Sequence, residues 1–189
     1  MRFILIVMGV LFVIVMYIFI FALMKASHDT EEVSKPVTTT VPVEAWAKYP
    51  VPLDKSMQLH IVEEANRRGV SPALVFAIIQ TESDFDANKI GDGGKSYGLM
   101  QVYASEHTDR CLALNAINLL DPYANVTVGI DILAELSGYR MPIEWVLMAY
   151  NGGMGYATTM YNEGRVSDYA NTVKALAEQI AEGVMVCTD

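Results

Sequence analysis

Positive charge is scarce in this chain. Its 189 residues hold 13 Lys and Arg against 22 Asp and Glu, a formal net charge of −9. A phosphate-rich partner needs basic surface to neutralise it, so the composition argues against nucleic-acid binding. The same deficit removes long-range steering toward an anionic polymer and leaves its recognition to local hydrogen bonds and stacking. Cysteine is scarce too, with only Cys111 and Cys187. In an oxidising compartment the two can pair and close a long loop; two separate buried thiols are the other reading. His107 and Cys111 lie four apart, but two ligands without a CxxC do not make a structural zinc site. No signature of a Cys-His peptidase or amidase surrounds either cysteine. A phosphate loop and a dinucleotide fingerprint are also missing. The stretch Gly91-Asp-Gly-Gly94 lacks the alternating acidic ligands and closing glutamate of a calcium loop. Neither a metal nor a cofactor is expected.

Charge of both signs is absent from Phe3 to Met24, and the hydrophobic fraction of the whole chain reaches 52%. Twenty-two apolar residues at about 1.5 Å each cover the ~30 Å hydrocarbon layer of a membrane. A cleavable signal has a shorter apolar region and a small-residue cleavage site, and this run shows neither. An uncleaved transmembrane anchor over residues 1–24 is therefore expected. Arg2 precedes the run and Lys25 and Lys35 follow it, so the charge bias leans slightly toward the amino end inside. Residues 25–53 are rich in threonine, proline and acid without periodicity, which predicts an extended linker. Trp46 and Tyr49 are its candidates for packing onto the domain edge.

Residues 54–189 read as one globular, mainly helical domain. Asp54 caps a helix bearing Met57, Ile61, Val62 and Ala65, with Gly69 as its stop. Ser71-Pro72 opens ALVFAIIQTES, apolar nearly all round as in a central buried helix. Asp121-Pro122 repeats the signal, Pro142 starts a helix ending at Asn151-Gly152, and Ser167-Asp168 begins the last. Residues 86–98 and 152–166 are expected as glycine-rich loops, with any strands short and confined to 86–103.

Glu82 ends the apolar helix. Burial against Ile78 and Ile79 disfavours its charged form, and the negative end of the helix dipole acts in the same direction. A carboxyl still protonated near neutral pH can give its proton to a leaving oxygen. A solvated helix-terminal glutamate is the plainer alternative for this residue alone.

The motifs around it decide between them. ESDF (82–85), YGLMQV (97–102) and AYNGG (149–153) resemble the soluble lytic transglycosylase domain and its relatives, the goose-type lysozymes, over about residues 60–180. The resemblance implies an α+β, lysozyme-like fold that cleaves the bond between N-acetylmuramic acid and N-acetylglucosamine in peptidoglycan. It makes Glu82 the general acid and Tyr150 the tyrosine whose hydroxyl contacts that acid. Asn151 lies in the same motif, and Tyr97, Gly98, Leu99, Met100 and Gln101 match a cleft-lining, substrate-binding segment. Asp92 falls where goose-type lysozymes carry an aspartate that positions water; a turn-stabilising aspartate is the alternative. The second aspartate of that pattern is Tyr103 here, which weakens hydrolysis with inversion. The expected function is that of a membrane-anchored lytic transglycosylase forming 1,6-anhydro ends. Goose-type hydrolysis is the alternative, and an inactive wall-binding scaffold the third reading. The domain is expected on the periplasmic or extracytoplasmic side, or on a phage virion membrane, with peptidoglycan strands as partner and service to an envelope-spanning or phage assembly.

Overall fold

The structure, a computed structural model, describes residues 49–183. The expected anchor, the linker up to residue 48, Trp46 and Cys187 lie outside these residues, and so does any pairing of the two cysteines. Among the described residues no helix is long and apolar enough to cross a membrane.

Among the described residues, six helices accompany a small sheet. In chain order they are α1 (Lys55–Arg67), α2 (Pro72–Ser83), β1 (Ile90–Gly91), β2 (Ser96–Tyr97), β3 (Val102–Tyr103), a 3-10 turn (Ala104–Glu106), α3 (Thr108–Ala113), α4 (Pro122–Gly138), α5 (Ile143–Asn162) and α6 (Asp168–Ala181). The strands form an antiparallel meander pairing Ile90 with Tyr97 and Ser96 with Tyr103. The mainly helical fold with strands confined to 90–103 is the one the sequence predicts.

The helix starts follow from local chemistry. Asp54 accepts from the Met57 amide at 2.9 Å, Asp121 from the amides of Tyr123 and Ala124, and Ser167 from Ala170. Each satisfies donors that the first turn leaves without a partner. Ser71 differs: its hydroxyl makes no capping bond, and Pro72 starts α2 through its fixed φ. Helix α2 is the centre of the molecule. Val75, Phe76, Ala77, Ile78 and Ile79 are all wholly buried, and α6 and α1 pack against it. Ahead of α1, Tyr49 stacks its ring on Phe76 with centroids 5.0 Å apart. The Gln58 amide then fastens this lead-in by donating to the carbonyls of Val51 and Leu53.

Two expectations about the loops fail. Helix α5 breaks at Gly153 (φ 81°, ψ 161°), straight after the predicted stop at Asn151-Gly152, but the expected loop over 152–166 does not follow: helix resumes and runs to Asn162. The glycines interrupt the ladder, but Ala157 and Met160, three apart and both buried, give the next segment a helical core face. Helix α3, one and a half turns long, also lies where no helix was expected.

Candidate active site

Glu82 is the penultimate residue of α2. The chain turns sharply straight after it, with Asp84 (φ 52°) and Phe85 (φ 64°) both in left-handed backbone. Non-glycine residues there cost about 1–3 kcal/mol each and persist where surrounding structure holds them. Phe85 is held by packing against the core. The turn leads the chain into β1 and back under the helix end.

The segment Gly98–Gln101 is fixed there from three sides. Ser83, next to Glu82, donates its hydroxyl to the carbonyls of Ile79 and Leu99, the latter at 2.8 Å. Asn125 of α4 accepts from the Met100 amide and donates to the carbonyls of Tyr97 and Leu119. Tyr150 of α5 donates its hydroxyl to the Met100 carbonyl at 2.9 Å. Gly98 is required by contact as well as by φ (73°): a Cβ there would lie 2.5 Å from the Asn125 amide nitrogen and 2.6 Å from the Leu119 carbonyl.

The carboxyl itself has a different tyrosine as its partner. Tyr169, in the first turn of α6, donates its hydroxyl to Glu82 Oε1 at 2.7 Å. The Tyr150 hydroxyl, expected on the acid, is spent on Met100 instead, although Tyr150 still lies within electrostatic range of Glu82. Burial is the main influence on Glu82 and raises its pKa, helped by the charge of Asp92. The Tyr169 hydrogen bond and the Lys89 ammonium oppose that rise, and burial prevails. Burial and the nearby Glu82 charge raise both tyrosines well above the ordinary phenol range, so both hydroxyls remain donors.

The remaining sequence candidates fall in three places. Leu99 and Met100 carry side chains that are 1% and 0% exposed, so their part is in the core rather than in a cleft lining. Gln101 turns back, donating its amide to the carbonyls of Gly98 and Lys89, and the Tyr97 hydroxyl donates to Gly94. Asp92 accepts the Ser96 hydroxyl across the β1–β2 turn, a side-chain bond rather than the bonds to its own backbone amides weighed as the alternative, while its charge still reaches Glu82. Tyr150 and Asn151 line a cleft of about 530 Å³ together with Tyr103, His107, Arg110 and Gly153. Glu82 is not in its wall; Tyr150 joins the two. Arg110 is held in that wall by Asp131 and Glu135. Among the described residues no group of three or more His, Cys, Asp or Glu is placed to hold a metal ion.

Tyr169 is the site residue that sequence reasoning passed over. The segment Asp168-Tyr-Ala-Asn171 stood out as a motif, but Tyr169 read as part of an apolar face with Val173, Leu176 and Ile180.

What the arrangement offers chemically is one partly buried carboxyl with a raised pKa, aimed by a phenol, close to a rigid turn and an open cleft. Known proteins align with this chain. Two proteins named "Membrane-bound lytic murein transglycosylase C" align with this chain. The one from Salmonella arizonae is 33% identical over 132 residues, covering 60% of this chain and 36% of its own length. The one from Klebsiella pneumoniae strain 342 is 32% identical over 135 residues, covering 63% and 37%. The chain thus spans little more than a third of the length of these relatives. In three dimensions the chain is similar to an inactive mutant of the lytic transglycosylase Slt from Pseudomonas aeruginosa, with a TM-score of 0.58 and 23% identity. That match covers 66% of this chain and 24% of the other, and it bears on the fold alone. The sequence pattern of the family described as "Transglycosylase SLT domain" matches residues 60–173, which include Glu82, the Gly98–Gln101 turn, Tyr150 and Tyr169. The chain belongs to the transglycosylase SLT domain family.

Proposed function

We propose that this protein is a peptidoglycan lytic transglycosylase in which Glu82 acts first as acid and then as base. The observation that carries the reading is the Glu82 carboxyl itself, partly removed from water and hydrogen-bonded by Tyr169 at 2.7 Å. In the first half-reaction Glu82 gives its proton to the oxygen linking N-acetylmuramic acid to the next sugar. The C1–O bond breaks as the substrate's own N-acetyl carbonyl stabilises the cation at C1. In the second, the Glu82 carboxylate takes the proton of the C6 hydroxyl, and O6 closes on C1 as the carbonyl withdraws. The product is a 1,6-anhydro ring, and the enzyme ends as it began. One carboxyl serves both steps, so a pKa raised toward the working pH suits it.

Asp92 bonds to Ser96 in its own turn and Tyr103 is no base, which supports ring closure over activation of a water. Residues 1–24 are proposed as a membrane anchor and the stretch up to about residue 53 as its tether, placing the domain on the extracytoplasmic side for local opening of the wall. The family and the names of the aligned relatives support this reading.

Mass spectrometry of wall fragments digested by the full chain tests it. Products one water lighter than reducing-end sugars are expected; reducing ends would assign hydrolysis instead. Glu82→Gln should lower turnover by about 10²–10⁴-fold, and undiminished clearing by that variant would remove Glu82 from the chemistry.

A further inference from the structure

Lys89 is an exposed residue just before β1, and it makes contacts in two directions. Its backbone carbonyl accepts from the Gly98 amide at 2.9 Å and from the Gln101 side chain at 3.0 Å. Its ammonium donates to the backbone carbonyl of Glu82 at 2.7 Å. That carbonyl belongs to the last turn of α2, where carbonyls have no donor within the helix. A single residue therefore ties the end of the helix bearing the carboxyl to the turn beneath it, and leaves a cation beside that carboxyl.

The groups facing Glu82 make this cation matter. Tyr169 comes from α6, Tyr150 from α5 and Asp92 from the β1–β2 turn. The two tyrosines are neutral and Asp92 is negative. The next acids along the chain, Asp84 and Asp86, are exposed. Among the described residues, Lys89 brings positive charge into electrostatic range of the carboxyl. Two-step acid–base use of one buried carboxyl requires that its anion, once formed, can persist long enough to take the second proton. Burial and Asp92 both work against that anion.

Resting on the acid–base reading of Glu82, we propose that Lys89 is a positioning residue of the cycle. It holds the Glu82 peptide against the Gly98–Gln101 turn and keeps a positive charge beside the carboxylate that the first half-reaction creates. Arginine preserves both the charge and the donors; methionine keeps most of the stem and removes both.

The test uses the full chain with Lys89→Met, Lys89→Arg and, should methionine impair folding, Lys89→Gln. Two quantities are read against pH: the carbon-13 shift of the Glu82 carboxyl, assigned by its loss in Glu82→Gln, and kcat and KM on wall fragments. Lys89→Met should move the carboxyl titration and both limbs of the kcat profile to higher pH. At the acid end kcat should fall about threefold to tenfold while KM stays within about twofold, because only the charge state of the acid–base group has changed. Lys89→Arg should restore the wild-type profile. A carboxyl titration unmoved in Lys89→Met overturns the proposal. So does an equal loss in the Met and Arg variants with an unmoved profile, which would make Lys89 a matter of shape alone. The titration is read without turnover. Full activity in Glu82→Gln would therefore refute the acid–base reading while leaving the charge coupling between Lys89 and Glu82 to stand or fall by itself.

Discussion

Glu82 and Tyr169 are 87 positions apart and meet through one hydrogen bond. Glu82 was legible because it closes an apolar helix and heads a motif. Tyr169 was not, because its hydroxyl works from the end of a stripe that otherwise reads as core, and one atom's role leaves no periodic trace. Tyr169→Phe keeps the ring and removes the donor. Since that bond favours the ionised carboxyl, its loss should move the Glu82 titration further upward and the pH optimum of wall clearing with it. An optimum unchanged in the Phe variant would make the bond incidental. A second prediction follows from linkage. The folded pKa of Glu82 lies above its unfolded value, so the folded state holds the extra proton and stability falls as pH rises through that window. Glu82→Gln, which removes a buried charge, should raise the stability by about 1 kcal/mol. The gain should be larger near neutral pH than in acid, where the wild-type carboxyl is protonated too. Thermal melts at the two pH values check it.

At the scale of elements, two glycines fix the geometry around the cleft. Gly153 has φ and ψ that essentially only glycine adopts, and it breaks α5 where the helix lines the cleft. Gly153→Ala should cost about 1–3 kcal/mol and lower kcat/KM on wall fragments, as the Tyr150–Met154 stretch can no longer hold its bend. Gly98→Ala meets the Asn125 amide as well as an unfavourable φ, so it should cost more than Gly153→Ala in denaturant melts. The sequence announced both glycines but not their consequences. A run of Gly-Gly-Met-Gly reads as a loop, whereas the burial of Ala157 and Met160 turns the residues after it back into helix. Likewise Leu99 and Met100 sit in a motif that touches the site, yet a turn between two short strands does not reveal which side chains face inward; the structure places both in the core.

For the whole molecule, the capping residues and the apolar helix around Phe76 were enough to read a mainly helical domain with a small sheet. The short helix α3 escaped because six residues with no buried side chain carry no periodic signal. Phe76 is wholly buried with its ring against Tyr49, so Phe76→Ala should cost about 3–5 kcal/mol, a large part of the ~5–15 kcal/mol that holds a domain of this size together. Denaturant unfolding monitored by circular dichroism measures it, and a loss below ~1 kcal/mol would show that α2 is not the centre of the core.

The docking of α6 onto α2 has an implication for biosynthesis. The phenol that aims the carboxyl is encoded near the far end of the described chain, so a nascent polypeptide exposes Glu82 long before Tyr169 leaves the ribosome. Such an unfinished molecule holds the acid without its guide. On the proposed acid–base reading, glycan cleavage is thereby deferred until the last described helix has been made and docked.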